Sequence, residues 1–373
     1  MKLLSVVKIV VDSYIPYIQG VLDKYADVVY LPHKEITKDN VQDADALIIR
    51  TRTHCNKDLL EGSRVKFIAS ATIGYDHIDN EYCKQNNITW TNAPGCNALS
   101  VTQYMASAFS FLKQEKQFDL AGKTIGIIGV GAVGSKIEEL AHSFNMRVLL
   151  NDPPRARKEN NNKFVTLSQI CREADIITFH TPLNTDGEDK TFHLGDSNFF
   201  NNVKKKPVIV NAARGEIIDT MALLEAIKNG KTSDIILDCW ENEPDINREL
   251  LAHTTLATPH IAGYSADGKA NAATYSVRAV SRFFSLGLDN WQADKLPEAY
   301  PLNIREIHDV EDFFLKSYDI RRDSVMLKES PAQFEEQRSN YPFRREPLAY
   351  TSLEESELGK KLKKQFPVFF QSF

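Results

Sequence analysis

Alternating β-branched runs and helical stretches predict an α/β fold built on two parallel sheets. Three observations carry this expectation. Residues 6–90 contain five apolar runs, each too short for a helix. A second series of six such runs starts at Thr124, with helical stretches filling the gaps. The first of these runs leads into Gly129-Val130-Gly131-Ala132-Val133-Gly134, a glycine-rich turn between a strand and a helix.

The elements follow in chain order. VVKIVV (6–11), DVVYL (27–31), ALIIR (46–50), KFIAS (66–70) and ITW (88–90) read as buried strands. The N-terminal MKLLSVVKIVVDSYIP reads as the first of them rather than as a signal peptide. Lys8 interrupts its apolar run and no small-residue cleavage site follows. Asn92-Ala93-Pro94-Gly95 makes the closing turn, and a breaker-poor helix runs from Ala98 to Glu115. The second series comprises 124–128, 147–152, 175–181, 207–213, 234–238 and 255–259. Helices are expected at about 133–144, 167–173 and 219–229, the last capped by Asp219 and stopped by Gly230. Six strands with intervening helices fit a Rossmann-type doubly wound sheet.

A further long helix covers 265–287. Two long helices therefore bracket the second sheet, and the first domain is expected to be split in sequence. Residues 1–97 plus 261–288 would form a flavodoxin-like substrate-binding domain, and 98–260 a Rossmann NAD-binding domain, with substrate in the cleft between them. Residues 289–373 read as a small α/β C-terminal domain with a role in oligomerisation. There Ser330-Pro331-Ala332-Gln333 looks like a capped helix start with proline at the first position, and Ser352 with Glu355 like another. The acidic-then-basic EESELGKKLKK suits a helix dipole, and PVFF (367–370) reads as a closing strand.

Bulk properties narrow the function. A chain of 373 residues exceeds one ordinary domain, and a 42% apolar fraction is enough for real cores. A net charge of -5 argues against a nucleic-acid or anionic-membrane surface. Cys55, Cys83, Cys96, Cys171 and Cys239 form no CxxC pair and no metal-type cluster with histidine. They read as reduced thiols of a cytoplasmic protein, with no metal expected. No apolar run reaches the length of a membrane span.

The chemistry lies in two motifs. In GVGAVG the first glycine allows the tight turn, the second lets backbone approach pyrophosphate, and the third lets helix and strand pack closely. Asp152 ends the next strand about 20 residues on, where a ribose-binding carboxylate belongs. It would repel a 2′-phosphate, which favours NAD over NADP, although Arg155 and Arg157 stand close by. The second motif is an ordered set. Arg214, at a predicted strand end beside Gly215, offers a planar fork that fits a carboxylate. His260 ends the last strand, and Glu243 follows the preceding one. A carboxylate on one ring nitrogen fixes the histidine tautomer, leaving the other to exchange a proton with a hydroxyl. Glu241 competes with Glu243 for that place, whereas His33, His54, His142 and His253 have no such context. The set implies hydride exchange between a 2-hydroxy acid and a nicotinamide.

The stretches NAPGCNALSV (92–101), GVGAVG, FHTPL (179–183) and NAARGEIID (211–219), with Arg214, Glu243 and His260 in that order, resemble the D-2-hydroxyacid dehydrogenases over about residues 45–290. ATIGYDHID (71–79), HIAGYSADGKA (260–270) and YPFRRE (341–346) resemble a group within that family that acts on a small phosphorylated acid and dimerises through an extra C-terminal domain. The resemblance implies substrate contacts at Thr51, Thr72 and Tyr264, and cofactor contacts at Asp152, Thr181, Ala212, Ala213, Asp238 and Gly263. A phosphorylated substrate needs further cations. Arg50 and Arg52 flank Thr51, and Arg344 and Arg345 would reach in from a partner subunit. Gln103 departs from the glutamate common among relatives. Other readings are a phosphoglycerate or glyoxylate type of the same family, and an NAD-sensing scaffold without catalysis.

Overall fold

A computed structural model describes residues 6–350 and 356–370. The chain forms two compact units. One comprises Met1–Asn97 with Ser265–Pro297, and the other Ala98–Tyr264 with Glu298–Phe373.

The first unit holds β1 (Lys8–Asp12), β2 (Asp27–Leu31), β3 (Ala46–Ile49), β4 (Phe67–Ser70) and β5 (Thr89–Thr91). They pair in the order β2-β1-β3-β4-β5, all parallel, as in the flavodoxin-like arrangement. Parallel sheets are covered on both faces, so their strands read as continuous apolar runs. Alternate residues divide between the faces. Ile9, Val11, Ile48 and Ala69 join one buried cluster, and Val10, Leu47, Ile49 and Ile68 the other. The helix Ala266–Phe284 packs Ala272, Ala273, Val277 and Val280 on the first face.

The second unit holds β6 (Thr124–Ile128), β7 (Arg147–Asn151), β8 (Ile176–Phe179), β9 (Val208–Asn211), β10 (Ile235–Leu237) and β11 (Leu256–Ala257). Their order is β11-β10-β9-β8-β6-β7, again parallel. A single parallel bridge, Leu150 to Phe164, adds a vestigial strand outside β7. With it the order becomes that of the Rossmann sheet, and the direction of winding switches between β6 and β8. The helices Ala98–Glu115, Ala132–Ser143, Leu167–Glu173 and Thr220–Lys228 lie where the sequence puts them. Asp219 caps the last of these, accepting from Met221 and Ala222 amides at 2.8 and 3.0 Å.

The C-terminal segment corrects several expectations. Among the described residues it contains no strand. PVFF forms a 3-10 turn, Pro367–Phe369, which buries Val368 and Phe369. Four apolar residues after a proline satisfy a buried turn as well as a strand. Ser330 stands at the start of the 3-10 turn Pro331–Gln333, with proline first as expected, but makes no side-chain capping hydrogen bond and also ends the helix Ile320–Glu329. Ser352 and Glu355 lie outside the described residues, and the helix Glu357–Gln365 is capped by Ser356, which accepts from Gly359 N at 3.0 Å. The segment does not close a core of its own. Phe313, Phe314, Phe366 and Phe369 share one cluster with Tyr104, Phe109 and Phe144 of the nucleotide-binding part.

Candidate active site

The glycine turn leaves β6 at the switch point, and each glycine is explained by its surroundings. Gly129 adopts φ +85°, and a Cβ there would lie 2.7 Å from Thr181 N. A Cβ on Gly134 would lie 2.1 Å from Gly129 O. Gly131 has nothing within 4 Å of its Cβ position and opens to a ligand. Ala132 and Val133 begin the helix Ala132–Ser143, whose first amides are unpaired within it. Asp152 caps the next helix, accepting from Val130 N at 2.8 Å and Arg155 N at 3.0 Å.

A cavity of about 540 Å³ runs past Gly129, Asp152, Pro153, Thr181 and Pro182. Thr181 Oγ1 and His180 Nδ1 are buried beside it and bond to no described residue. The tight turn, the open Gly131 and an orphaned hydroxyl fit a dinucleotide. The two cations near Asp152 are committed elsewhere. Arg155 Nε donates to Glu159 at 2.6 Å, and Arg157 pairs with Asp189 and Glu188. Both are partly balanced by these carboxylates, and Asp152 itself disfavours a 2′-phosphate, in keeping with NAD.

The candidate acid/base pair, His260 and Glu243, sits past the ends of β10 and β11. His260 Nδ1 donates to Glu243 Oε2 at 2.8 Å, and Trp240 N donates to Glu243 Oε1 at 2.9 Å. Glu241 is engaged by His193 Nε2 and Thr220 N, both at 2.7 Å. Burial pushes the Glu243 carboxyl up, but the His260 ring, the Trp240 amide and the Arg338 guanidinium outweigh it and hold it below the usual carboxylate range. Glu243 is therefore an anion at neutral pH.

His260 has φ +57°, a region that costs a non-glycine residue about 1 kcal/mol or more. Asp238 holds it there. His260 N donates to Asp238 O at 2.8 Å, and the Asp238 carboxylate accepts from Ile261 N at 2.8 Å, Ala262 N at 2.9 Å and Thr258 Oγ1 at 2.6 Å. Burial raises the Asp238 carboxyl pKa. Cys239 lies within 4.8 Å of the Glu243 and His260 donor atoms, but burial keeps its thiol protonated, and Glu243 and His260 bind each other.

Arg214 follows β9 through Ala212 and Ala213. Its backbone is fixed by Asn211, whose side chain donates to Arg214 O at 2.8 Å and accepts from Ala213 N at 3.1 Å. A Cβ on Gly215 would lie 1.9 Å from the Trp240 carbonyl carbon, so only glycine lets this turn meet the Trp240–Glu243 turn. Gly263 and Tyr264 continue the loop after His260, and Arg338 Nε donates to the Tyr264 hydroxyl at 3.1 Å.

The remaining expected contacts belong to the first unit. Thr51 is exposed just past β3. Thr72, past β4, shares hydrogen bonds with Ser70 Oγ at 2.8 Å and Gly74 O at 3.0 Å. Arg50 grips the buried Asp12 with distances of 2.9 and 3.4 Å. Arg344 is corrected outright. It is buried in its own unit, donating to Ala262 O at 2.6 Å with its guanidinium 4.0 Å from the Tyr318 ring centre, so it cannot serve a partner subunit. No local pattern announces Arg338 as a neighbour of the loop after His260, and Arg344, marked in the sequence as a partner's cation, meets that loop within its own chain.

Residues 99–262 match the family described as D-isomer specific 2-hydroxyacid dehydrogenase, NAD binding domain. The chain is 54% identical to the erythronate-4-phosphate dehydrogenase of Bacteroides thetaiotaomicron over 92% of its own length and 98% of that protein. It is 41% identical to the Porphyromonas gingivalis protein of the same name, over 92% and 95%. The NAD-bound 3-phosphoglycerate dehydrogenase of Entamoeba histolytica superposes with a TM-score of 0.65 at 27% identity, covering 79% of this chain and 100% of that one. The chain belongs to the D-isomer specific 2-hydroxyacid dehydrogenase family. It is an NAD-dependent oxidoreductase acting on a CH–OH group.

Proposed function

We propose that this protein oxidises 4-phospho-D-erythronate to 3-hydroxy-2-oxo-4-phosphooxybutanoate, on the route to pyridoxal phosphate. The observation that carries this reading is the 54% identity to a protein of that activity along 92% of the chain, a span too long to leave out the C-terminal segment. NAD, when bound, supplies the hydride acceptor. Arg214 holds the substrate carboxylate and polarises the oxygen on the reacting carbon. His260 takes the hydroxyl proton through Nε2 as the hydride leaves C2, and Glu243 stabilises the imidazolium that results. Cofactor contacts at Asp152, Thr181, Ala212, Ala213, Asp238 and Gly263 belong to this reading, as do substrate contacts at Thr51, Thr72, Tyr264 and Arg50. Arg50 enters with its charge balanced by Asp12, so it offers donors rather than net charge. A cytoplasmic homodimer formed through the C-terminal segment completes the proposal.

The test measures turnover with NAD and 4-phospho-D-erythronate, D-3-phosphoglycerate or D-lactate in turn. A 2-oxo acid is added so that retained NADH cannot stall turnover, and its reduced product is assayed. Turnover with phosphoerythronate alone, lost in Arg214→Ala, is the expected outcome. Turnover with another acid only would keep the mechanism and discard the substrate.

A further inference from the structure

The short helix Phe334–Ser339 brings a cation to the acid/base pair. Phe334 is fully buried and anchors the helix, and Gln337 Nε2 donates to Met326 O at 3.1 Å and Ser330 O at 3.0 Å. Arg338 is directed inward as a result, with its side chain 17% exposed. Its Nε donates to the Tyr264 hydroxyl, and its guanidinium carbon lies 5.9 Å from the Tyr264 ring centre. Its Nη1 stands 3.8 Å from Glu243 Oε2, the same oxygen that accepts from His260.

Burying an arginine this far is costly unless anions face it. The charged and titratable groups around it are Glu243 and Tyr264 across the contact and Glu335 on its own helix. Behind Glu243 stand His260 and Cys239, with Asp238 and Arg214 beyond. Glu243 is thus the carboxylate of the acid/base pair that Arg338 reaches.

We propose that Arg338 is a positioning residue for the reaction, a cation 3.8 Å from Glu243 Oε2 that keeps this carboxylate aimed at His260 from within the C-terminal segment. At 3.8 Å it acts by charge and not by a hydrogen bond, which leaves the Oε2 lone pair to the histidine. Arg338 is one of the groups that keep the Glu243 carboxyl low against its burial. With the guanidinium gone, burial counts for more. Glu243 then takes up a proton at a higher pH, and a neutral carboxyl no longer stabilises imidazolium.

The inference rests on His260 and Glu243 acting as proposed above, so His260→Gln and Glu243→Gln are run beside it. For Arg338→Gln, kcat for oxidation is expected to fall roughly 10-fold with KM for the phosphorylated acid changed less than about 2-fold. The pH at which activity is lost on the acid side moves upward. Arg338→Lys, which keeps the charge, recovers most of both. In a Glu243→Gln background Arg338→Gln costs nothing further, because it acts through the missing carboxylate. Arg338→Met, which preserves the packing of the stem, replaces the glutamine variant should that one fail to fold. An unchanged kcat and pH profile would overturn the proposal. So would a large rise in KM at constant kcat, which would make Arg338 a direct anion contact. Full activity in His260→Gln would instead overturn the underlying reading, leaving the two failures distinguishable.

Discussion

At the scale of single residues, the sequence marks candidates whose chemistry is local and does not mark the groups that only the fold brings beside them. Arg214, Glu243 and His260 each end or follow a predicted strand, and parallel sheets bring such ends to one edge. That was enough to choose His260 among nine histidines. It was not enough to choose between Glu241 and Glu243, because two residues of separation in a turn reverse direction. The fold decides, since Glu241 meets His193 and Glu243 meets His260. Glu243→Gln is therefore expected to lower kcat for oxidation about 100-fold, the usual worth of a general-base device, with little change in KM for NAD. Glu241→Gln replaces one of the two oxygens that accept from His193 and Thr220, away from His260, and should cost stability rather than kcat; steady-state kinetics beside thermal melts separate the two. His180 carries another residue-scale prediction. Burial depresses its imidazole pKa to about 3. In the unfolded chain the ring titrates near 6.5, so the unfolded state binds the extra proton first. Stability contributed by neutral His180 is complete above that pH and declines as pH falls toward 3. His180→Gln should flatten this part of the stability–pH curve measured by urea unfolding.

At the scale of elements, the glycine turn was legible because its three glycines do different steric jobs at fixed spacing. Gly134 is needed by the protein itself, since any Cβ would collide with the carbonyl of Gly129. Gly131 is needed only by what binds, since its Cβ position is open. The two should separate experimentally. Gly131→Val is expected to fold with a near-normal Tm while NAD affinity, read by calorimetry, falls at least about 10-fold. Gly134→Val should lose roughly 1–3 kcal/mol of stability, as overpacked cores do. Equal Tm values for both variants would refute this division. The less legible elements are those where one pattern serves two structures. PVFF satisfies both a strand and a buried 3-10 turn, and Phe164 lies in a strand reduced to a single bridge. Composition cannot resolve either case, because pairing partners and not propensity decide them.

At the scale of the whole molecule, the change of character after Asp289 marks a long connection rather than a new core. Beyond it the helix Val310–Ser317 packs on the Ala98–Glu115 helix, and Ile320–Glu329 packs on β11, where Ser324 Oγ accepts from Ala257 N at 3.0 Å. Phe314 meets Phe144, Phe366 and Phe369 at ring separations of 6.4, 5.0 and 5.4 Å. Polar ties run the same way. Ser107 Oγ donates to Tyr318 O at 2.7 Å, Ser100 Oγ to Glu346 at 2.9 Å, and the buried Gln103 to Arg345 O at 3.0 Å. This last bond gives the glutamine at 103 a physical role: an amide donates to a carbonyl where a carboxylate could not. Each buried phenylalanine contributes roughly 2–3 kcal/mol of apolar transfer energy. The loss of Phe313, Phe314, Phe366 and Phe369 together is then of the order of a domain's whole stability. A chain cut after Pro297 is accordingly expected to be insoluble or to melt without cooperativity, even though it keeps the glycine turn, Arg214, Glu243 and His260. Phe314→Ala in the full chain should lower stability by about 3–5 kcal/mol by denaturant titration while leaving KM for NAD unchanged. A soluble, cooperatively folding 1–297 fragment would show that the segment is a separate body after all. If that fragment also turned over at the wild-type rate, neither Arg338 nor Arg344 could be supporting the acid/base loop.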